Sequence, residues 1–427
     1  MKFVSILVLV LAVSAATAQL ISPFFTAYTN PDIPCQCGDK VSLENEDPLE
    51  RAQNISHRLV DQYMKALKVP GIVVGVSKKG ETVYHEAFGY ADIENKVKTR
   101  KDSHFRIASI SKSVTTLLIS KLVEEGKLDW NKTINDYIPQ SKFPAKKWKG
   151  QDTKVTLKQL MSHIGGIRPS NLDTDFNRVY DNWNNVTDTL EQFKTDELVS
   201  EPGTTFNYSN PGWQIVGAIA ESVLAKSNET YESRMNKLLQ TQLNMTETSA
   251  ERREKIIPNR VRYYMSGGME PNDTRIFNTI MLDDVVIVNK YWPAGGIMST
   301  VPDLLRFGNI MLYSFKGGHD GKPGYLKTET VKLLWKPVVE VKFFNNTYYG
   351  MGWFITQLKN NTSYCISSCY KESPINHYIW HTGRLIGQSS SLAVFPEQEI
   401  VVSLLTNKGS LLSLNDLAIK LANTFIY

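Results

Sequence analysis

The sequence predicts an α+β fold: one antiparallel sheet assembled from both chain ends, flanked by helices, with an α-rich region inserted between its halves. Three observations carry this. Short runs rich in Val, Ile, Tyr and Phe occur near the start and again in the last third. Between them, from about residue 130 to 290, helical pieces and loops prevail. Strands this far apart in sequence must pair late, which joins both ends of the chain in one sheet.

Residues 1–18 read as a secretory signal peptide, with Lys2 at its start, an apolar core from Phe3 to Val13 and small residues Ala16-Thr17-Ala18 at its end. Residues 19–46 are rich in Pro, Asn and Asp without a period and read as a tail. One domain is expected over 47–427. Its first helix carries apolar residues at Ile55, Leu59, Val60, Met64 and Leu67 and stops at Pro70-Gly71. "GIVVGVSKKGETVYHEAFGYAD" follows as two strands with a hairpin at Lys79-Gly80. "FRIASISKSVTTLLISKLVEEGKLD" reads as one amphipathic helix ending near Gly126, with its buried stripe on Ile110, Val114, Leu117, Leu118 and Leu122. The clearest helix of the middle region is "PGWQIVGAIAESVLAK". "YYGMGWFITQL", "HYIWHTGRLIGQSSSLAVFP" and "QEIVVSLLTN" read as strands, and "LNDLAIKLANTFIY" as a closing helix.

With 42% hydrophobic residues in 427, the chain can bury a sizeable core. Its net charge of +5 is scattered. The densest basic stretch, "SKFPAKKWKG" (Ser141 to Gly150), is broken by Pro144 and reads as a solvated loop. No concentrated basic face points to nucleic acid, and no apolar run is long enough for a transmembrane segment. N-x-Ser/Thr sequons begin at Asn54, Asn131, Asn185, Asn207, Asn228, Asn244, Asn272, Asn345, Asn360 and Asn361. With the signal peptide they lead to the expectation of a secreted glycoprotein. In that setting Cys35, Cys37, Cys365 and Cys369 favour disulfides, with all three pairings open. A zinc site is the alternative, but the step from Cys35 to Cys37 is tight for one.

Ser109 and Lys112 stand one helical turn apart at the N-terminal end of the apolar stripe. The helix dipole there favours developing negative charge and disfavours a lysine cation. A lysine whose charged form is destabilised can take a proton from a serine. Four letters are weak by themselves, and the pattern recurs at Ser368 and Lys371. The second piece is "YSN", Tyr208-Ser209-Asn210, at a turn leading directly into a helix. A tyrosine there can shuttle a proton, and an amide can fix an acyl carbonyl. The third is "HTG", His381-Thr382-Gly383, which occurs once, on a strand. Its glycine would let a substrate approach the strand edge, where free N–H groups can bind an oxyanion.

The three pieces in this order resemble the serine β-lactamase and penicillin-binding-protein superfamily, most of all its class C-like branch. "FRIASISKSVTT", "LKQLMSHIGGI", "YWPAGGIMSTVPDLLRFGNIML" and "YGMGW" look like the same family, and the resemblance covers about residues 50–427. With histidine in the third motif the chain is most similar to animal proteins of the LACTB type and related esterases. The resemblance implies a β-lactamase/transpeptidase-like fold with Ser109 as acyl-accepting nucleophile. Lys112 and Tyr208 would share the acid–base work, and Asn210 would contact the acyl side chain. The N–H groups of Ser109 and Arg384 would form the oxyanion hole, beside His381, Thr382 and Gly383. His163 and Trp353 are expected to pack around the site. His381 replaces a bacterial lysine and should titrate near neutrality, which favours uncharged esters or amides over carboxylate-bearing β-lactams. The resemblance implies no metal or organic cofactor, and a small-molecule or peptide substrate. Because the LACTB type polymerises, it also admits a homo-oligomer or a catalytically silent scaffold.

Overall fold

The two ends of the chain meet in one nine-stranded antiparallel sheet. The computed structural model describes residues 47–427 apart from 171–182, 253–254, 265–289, 322, 359–362, 367–368, 386, 410–413 and 427. The signal and tail stretches, Cys35, Cys37 and Ser368 lie outside the described residues. Helix α1 (Pro48–Leu67) is capped by Asp47, whose carboxylate accepts from Leu49 N, and ends where Lys68 turns left-handed. Strands β1 (Gly71–Lys78) and β2 (Glu81–Asp92) form the expected hairpin. Lys79 and Gly80 both have positive φ, 50° and 84°, as a turn matching strand twist requires. After the edge strand β3 (Val97–Lys98), the short β4 (Phe105–Arg106) leads into α2 (Ile110–Glu124). The inserted region includes α3 (Leu157–Met161) and α4 (Asn210–Leu224). Then come β5 (Ser249–Ala250), β6 (Ile297–Ser299) and α5 (Val301–Lys316). The chain closes with β7 (Val339–Glu340), β8 (Thr347–Tyr349), β9 (Phe354–Gln357), β10 (His377–Leu385), β11 (Gln388–Phe395), β12 (Ile400–Thr406) and α6 (Leu414–Thr424).

The sheet order is β3-β2-β1-β12-β11-β10-β9-β8-β7. β1 pairs with β12 from Ile72↔Thr406 to Lys78↔Ile400, so the first strand depends on the last. Both faces of the central strands are covered. Ile72, Val74 and Val76 enter a core shared with Leu59 and Val60 of α1 and Leu417 and Leu421 of α6. Val73 and Val401 face a second core with Leu304 of α5, Leu118 of α2 and Ile215 of α4. A strand buried on both sides has no reason to alternate, which is why β1 reads as a continuous apolar run. Gly75 and Gly308 let α5 lie close on the sheet: a Cβ would come within 2.4 Å of Val301 and 2.3 Å of Val401, respectively.

Three expectations need correction. α2 is not amphipathic: it is buried all round, including Ser111, Lys112, Ser113, Thr115, Thr116 and Ser120. Lys112 apart, the polar letters that suggested a wet face are small hydroxyls, and all but that of Ser120 hydrogen-bond inside the protein. Ser113 Oγ donates to Gly352 O at 2.7 Å, Thr115 Oγ1 meets Tyr231 OH at 2.7 Å, and Ser111 Oγ accepts from Ile297 N at 3.2 Å. "YYGMGWFITQL" is two strands, because Gly352 turns left-handed at φ 77° and sits where a Cβ would strike Thr116 Oγ1 of α2. Lys146, in the basic stretch, is buried rather than solvated. Its Nζ donates to the carbonyls of Phe193, Lys194 and Asp196 at 3.2, 2.9 and 2.7 Å, and these replace water around the ammonium. Cys365 and Cys369 lie on the two strands of a hairpin, in register with Tyr370 and Ile366 and not with each other.

Candidate active site

Ser109 sits where a strand turns into a helix. β4 is locked by Arg106, whose Nε meets the Glu251 carboxylate at 2.7 Å in the interior, with Arg260 joining the same carboxylate. Ile107 N donates to Ile297 O at 3.0 Å, and Ile107 O accepts from Ser390 Oγ at 2.9 Å. Ala108 then takes the left-handed conformation at φ 47°, a strain of about 1–2 kcal/mol for a residue with a Cβ. This kink delivers Ser109 to the N-cap of α2. An N-cap serine ordinarily spends its Oγ on a backbone N–H. Here that cap bond is absent, so Oγ is left for the site.

Lys112, in the first turn of α2, is fully buried. Its Nζ lies 3.1 Å from Ser109 Oγ, 2.7 Å from Asn210 Oδ1 and 2.6 Å from the Ala294 carbonyl oxygen. Burial pushes its pKa well below the ordinary lysine value. A neutral amine has two N–H bonds and one lone pair. The two carbonyl oxygens can only accept, so they take the two N–H bonds and the lone pair is left facing the Ser109 hydroxyl. Tyr208 stands beside the pair: its hydroxyl interacts with the Ser109 side chain, and Lys112 Nζ lies 4.9 Å from its ring centroid. Burial raises the phenol well above its usual value, with Ser109 and the charge of Arg384 pulling the other way. Tyr208 is therefore a protonated donor at neutral pH. Asn210 opens α4 and has both ends engaged, Oδ1 by Lys112 and Nδ2 by Ser170 Oγ at 2.9 Å. In this arrangement Oδ1 orients the lysine, while Nδ2 has a second N–H beyond the one given to Ser170.

The "HTG" piece lies on β10, on the half that extends beyond its pairing with β9. Gly383 has a different task from the one expected. A Cβ there would sit 2.1 Å from Ile107 O and 2.9 Å from Ala108 Cβ, so the glycine lets the strand pack under the kink before Ser109. Gly383→Ala should push that kink away, lowering the melting temperature and slowing acylation by about 10². Unchanged melting and acylation would remove Gly383 from the site's support. Arg384, the next residue, has an exposed side chain.

His381 departs from the expectation that it titrates near neutrality. It is buried, with Nδ1 2.8 Å from Thr382 O and Nε2 3.1 Å from Tyr349 OH. The carbonyl can only accept, so Nδ1 carries the proton and Nε2 accepts from the tyrosine. Burial and the neighbouring Lys112 lower its pKa to about 3. It offers no positive charge to a substrate carboxylate. Trp353 packs as expected, stacked on Phe307 with centroids 5.8 Å apart. His163 does pack, with its ring 4.2 Å from Tyr208 and 4.8 Å from Tyr349. Sequence reading missed the Ala294 carbonyl, Ser170 and Tyr349. Tyr349 was within reach, in "YGMGW"; a backbone oxygen such as that of Ala294 leaves no letter in a sequence.

The sequence profile of the Beta-lactamase family matches residues 57–423. The human mitochondrial serine beta-lactamase-like protein LACTB is 32% identical over 461 residues, spanning 88% of this chain and 79% of that protein. Among solved structures, the octameric penicillin-binding protein homologue from Pyrococcus abyssi superposes with a TM-score of 0.67 at 22% identity, covering 86% of this chain and 75% of its own. EstCE1, described as a hydrolase with promiscuous acyltransferase activity, gives a TM-score of 0.66 at 20% identity, covering 88% and 98%. The expectation of a secreted protein is corrected by these relatives: the human, mouse and bovine LACTB proteins are all named mitochondrial. Sequons arise by chance in an Asn-rich chain, and an apolar N-terminal run does not by itself fix a destination. No helix among the described residues is long and apolar enough to cross a membrane.

Proposed function

The chain belongs to the Beta-lactamase family, with its β-lactamase/transpeptidase-like fold, and from that premise we propose that residues 47–427 act as a serine hydrolase on ester or amide bonds through an acyl-enzyme on Ser109. The observation that carries this reading is the buried Lys112 amine, 3.1 Å from Ser109 Oγ and otherwise surrounded by acceptors. Ser109 Oγ attacks the acyl carbonyl carbon as its proton passes to Lys112 Nζ. The carbonyl oxygen becomes an oxyanion received by the N–H groups of Ser109 and Arg384. Collapse breaks the bond to the leaving group, which takes a proton from Tyr208, and Lys112 returns one to Tyr208. Water then attacks the acyl-enzyme, releases the carboxylic acid and restores the Ser109 hydroxyl. His381 adds no charge, so uncharged esters or amides of a small molecule or peptide are the preferred substrates. A substrate carboxylate would have to be met by Arg384.

The octameric state named for the Pyrococcus abyssi homologue supports self-association of this chain as well, with a catalytically silent assembly as the second reading. A fluorophosphonate probe tests the choice. Wild-type protein should be labelled on the peptide carrying Ser109, and Ser109→Ala should not be. Absence of labelling of folded wild type by fluorophosphonate and by β-lactam probes would favour the assembly.

A further inference from the structure

We infer that His163 is the positioning residue that holds the Tyr208 loop over Ser109, through a neutral imidazole whose Nδ1 accepts a backbone hydrogen bond from inside the "YSN" stretch. This rests on the acyl-enzyme reading above for its consequence in catalysis, but not for its geometry. His163 is buried and lies just beyond α3, in the left-handed conformation at φ 57°. It ties the Tyr208 loop at two main-chain points. Its carbonyl oxygen accepts from Asn207 N at 2.8 Å, and its Nδ1 accepts from Ser209 N at 3.0 Å. These are the residues on either side of Tyr208. The phenol ring lies between the two ties, against the imidazole, at 4.2 Å and 32°. The left-handed backbone is what turns the carbonyl and the ring toward the same segment.

The charge state follows from the partners. A second N–H, Trp213 Nε1, points at Nε2 from 3.3 Å. A neutral imidazole has a single lone pair and accepts only one of the two. The shorter bond, from Ser209, takes it, so the remaining proton sits on Nε2. A protonated ring would oppose both donors and stand among Lys112, His381, Tyr208 and Tyr349. Packing alone would be satisfied by any ring or aliphatic chain of similar size. The Nδ1 bond would not.

Two substitutions of equal size separate these roles. In His163→Asn, Oδ1 occupies the place of Nδ1 as an acceptor, and asparagine tolerates positive φ. In His163→Leu, the branched skeleton is kept and the acceptor is lost, with an added backbone strain at this left-handed position that a fall in melting temperature reads separately. We expect kcat on an ester to fall by about 10² in the leucine variant, with KM within about threefold, and to recover to within about tenfold of wild type in the asparagine variant. Equal activity of the two variants would overturn the inference. A second measurement needs neither turnover nor a variant. In ¹⁵N-histidine-labelled wild type, His163 should show a hydrogen-bonded acceptor at Nδ1 and a proton on Nε2, unchanged between about pH 5 and 9. A proton on Nδ1, or titration in that range, would overturn it even if the leucine variant fails to fold. Inactive protein with the expected spectrum would count against the hydrolase reading alone.

Discussion

Replacing Lys112 by methionine should lower turnover by about 10² to 10⁴ while leaving a folded protein. Methionine keeps the buried stem and removes only the amine, so the loss reports the lone pair aimed at Ser109 Oγ and not a cavity. Fluorophosphonate labelling should slow in parallel, because the probe needs the same activated hydroxyl. Two pH measurements sharpen the test. Efficiency of the wild type should fall as pH drops through the depressed pKa of Lys112, since protonation consumes the lone pair. The variant should lack that acidic limb. Stability runs the same way in sign. Between the depressed folded pKa and the unfolded value near about 10 the unfolded lysine holds a proton that the folded one has released, so folding is penalised there. The penalty shrinks as pH rises toward the unfolded pKa. Wild-type stability relative to the variant should therefore increase from pH 7 to pH 10. A flat difference would mean that Lys112 is charged in the folded state, and unchanged turnover would remove it as the base.

Much of this architecture was legible from the sequence because it rests on period and order. The hairpin at Lys79-Gly80 and the helix after "YSN" follow from local rules that tertiary packing did not override, and the pairing of the first strand with the last follows from the order of the elements. What could not be read shares one physical origin, burial of polar groups. Most Ser and Thr residues of α2 look wet in a sequence and are dry in the fold, because their hydroxyls find backbone groups and the Tyr231 hydroxyl. Lys146 looks like surface charge until three carbonyls surround it. His381 looks like a neutral-pH switch until burial and the neighbouring Lys112 hold it neutral. Gly383 was legible as a glycine that must be there. Only the structure says that Ile107 and Ala108, and not a substrate, occupy the space its missing side chain leaves. Ser109, Lys112 and Tyr208, the proposed nucleophile, base and acid, could be picked out because their spacing is characteristic, and the fold brings them together. The groups that tune them, Ala294 O, Ser170 and the His163 ring, carry no pattern of their own.

Tyr208→Phe should cost turnover by an amount that depends on the leaving group, which distinguishes a proton donor from a mere wall of the site. The substitution removes one hydroxyl and keeps the ring against His163, so stability should change by no more than about 1 kcal/mol. In the resting enzyme the phenol is protonated, because burial raises its pKa well above that of free tyrosine. Its contribution is then the proton it gives to a departing oxygen or nitrogen. An amide or alkyl ester needs that proton badly, since the unprotonated leaving group is a strong base. A nitrophenyl ester departs as a stable anion and needs it little. The variant should lose about 10² to 10³ in kcat/KM on the amide or alkyl ester and tenfold or less on the nitrophenyl ester. The acidic limb of the pH profile belongs to Lys112 and should stay where it is in wild type. Equal losses on both substrates, or a moved acidic limb, would show instead that Tyr208 sets the base and gives nothing to the leaving group.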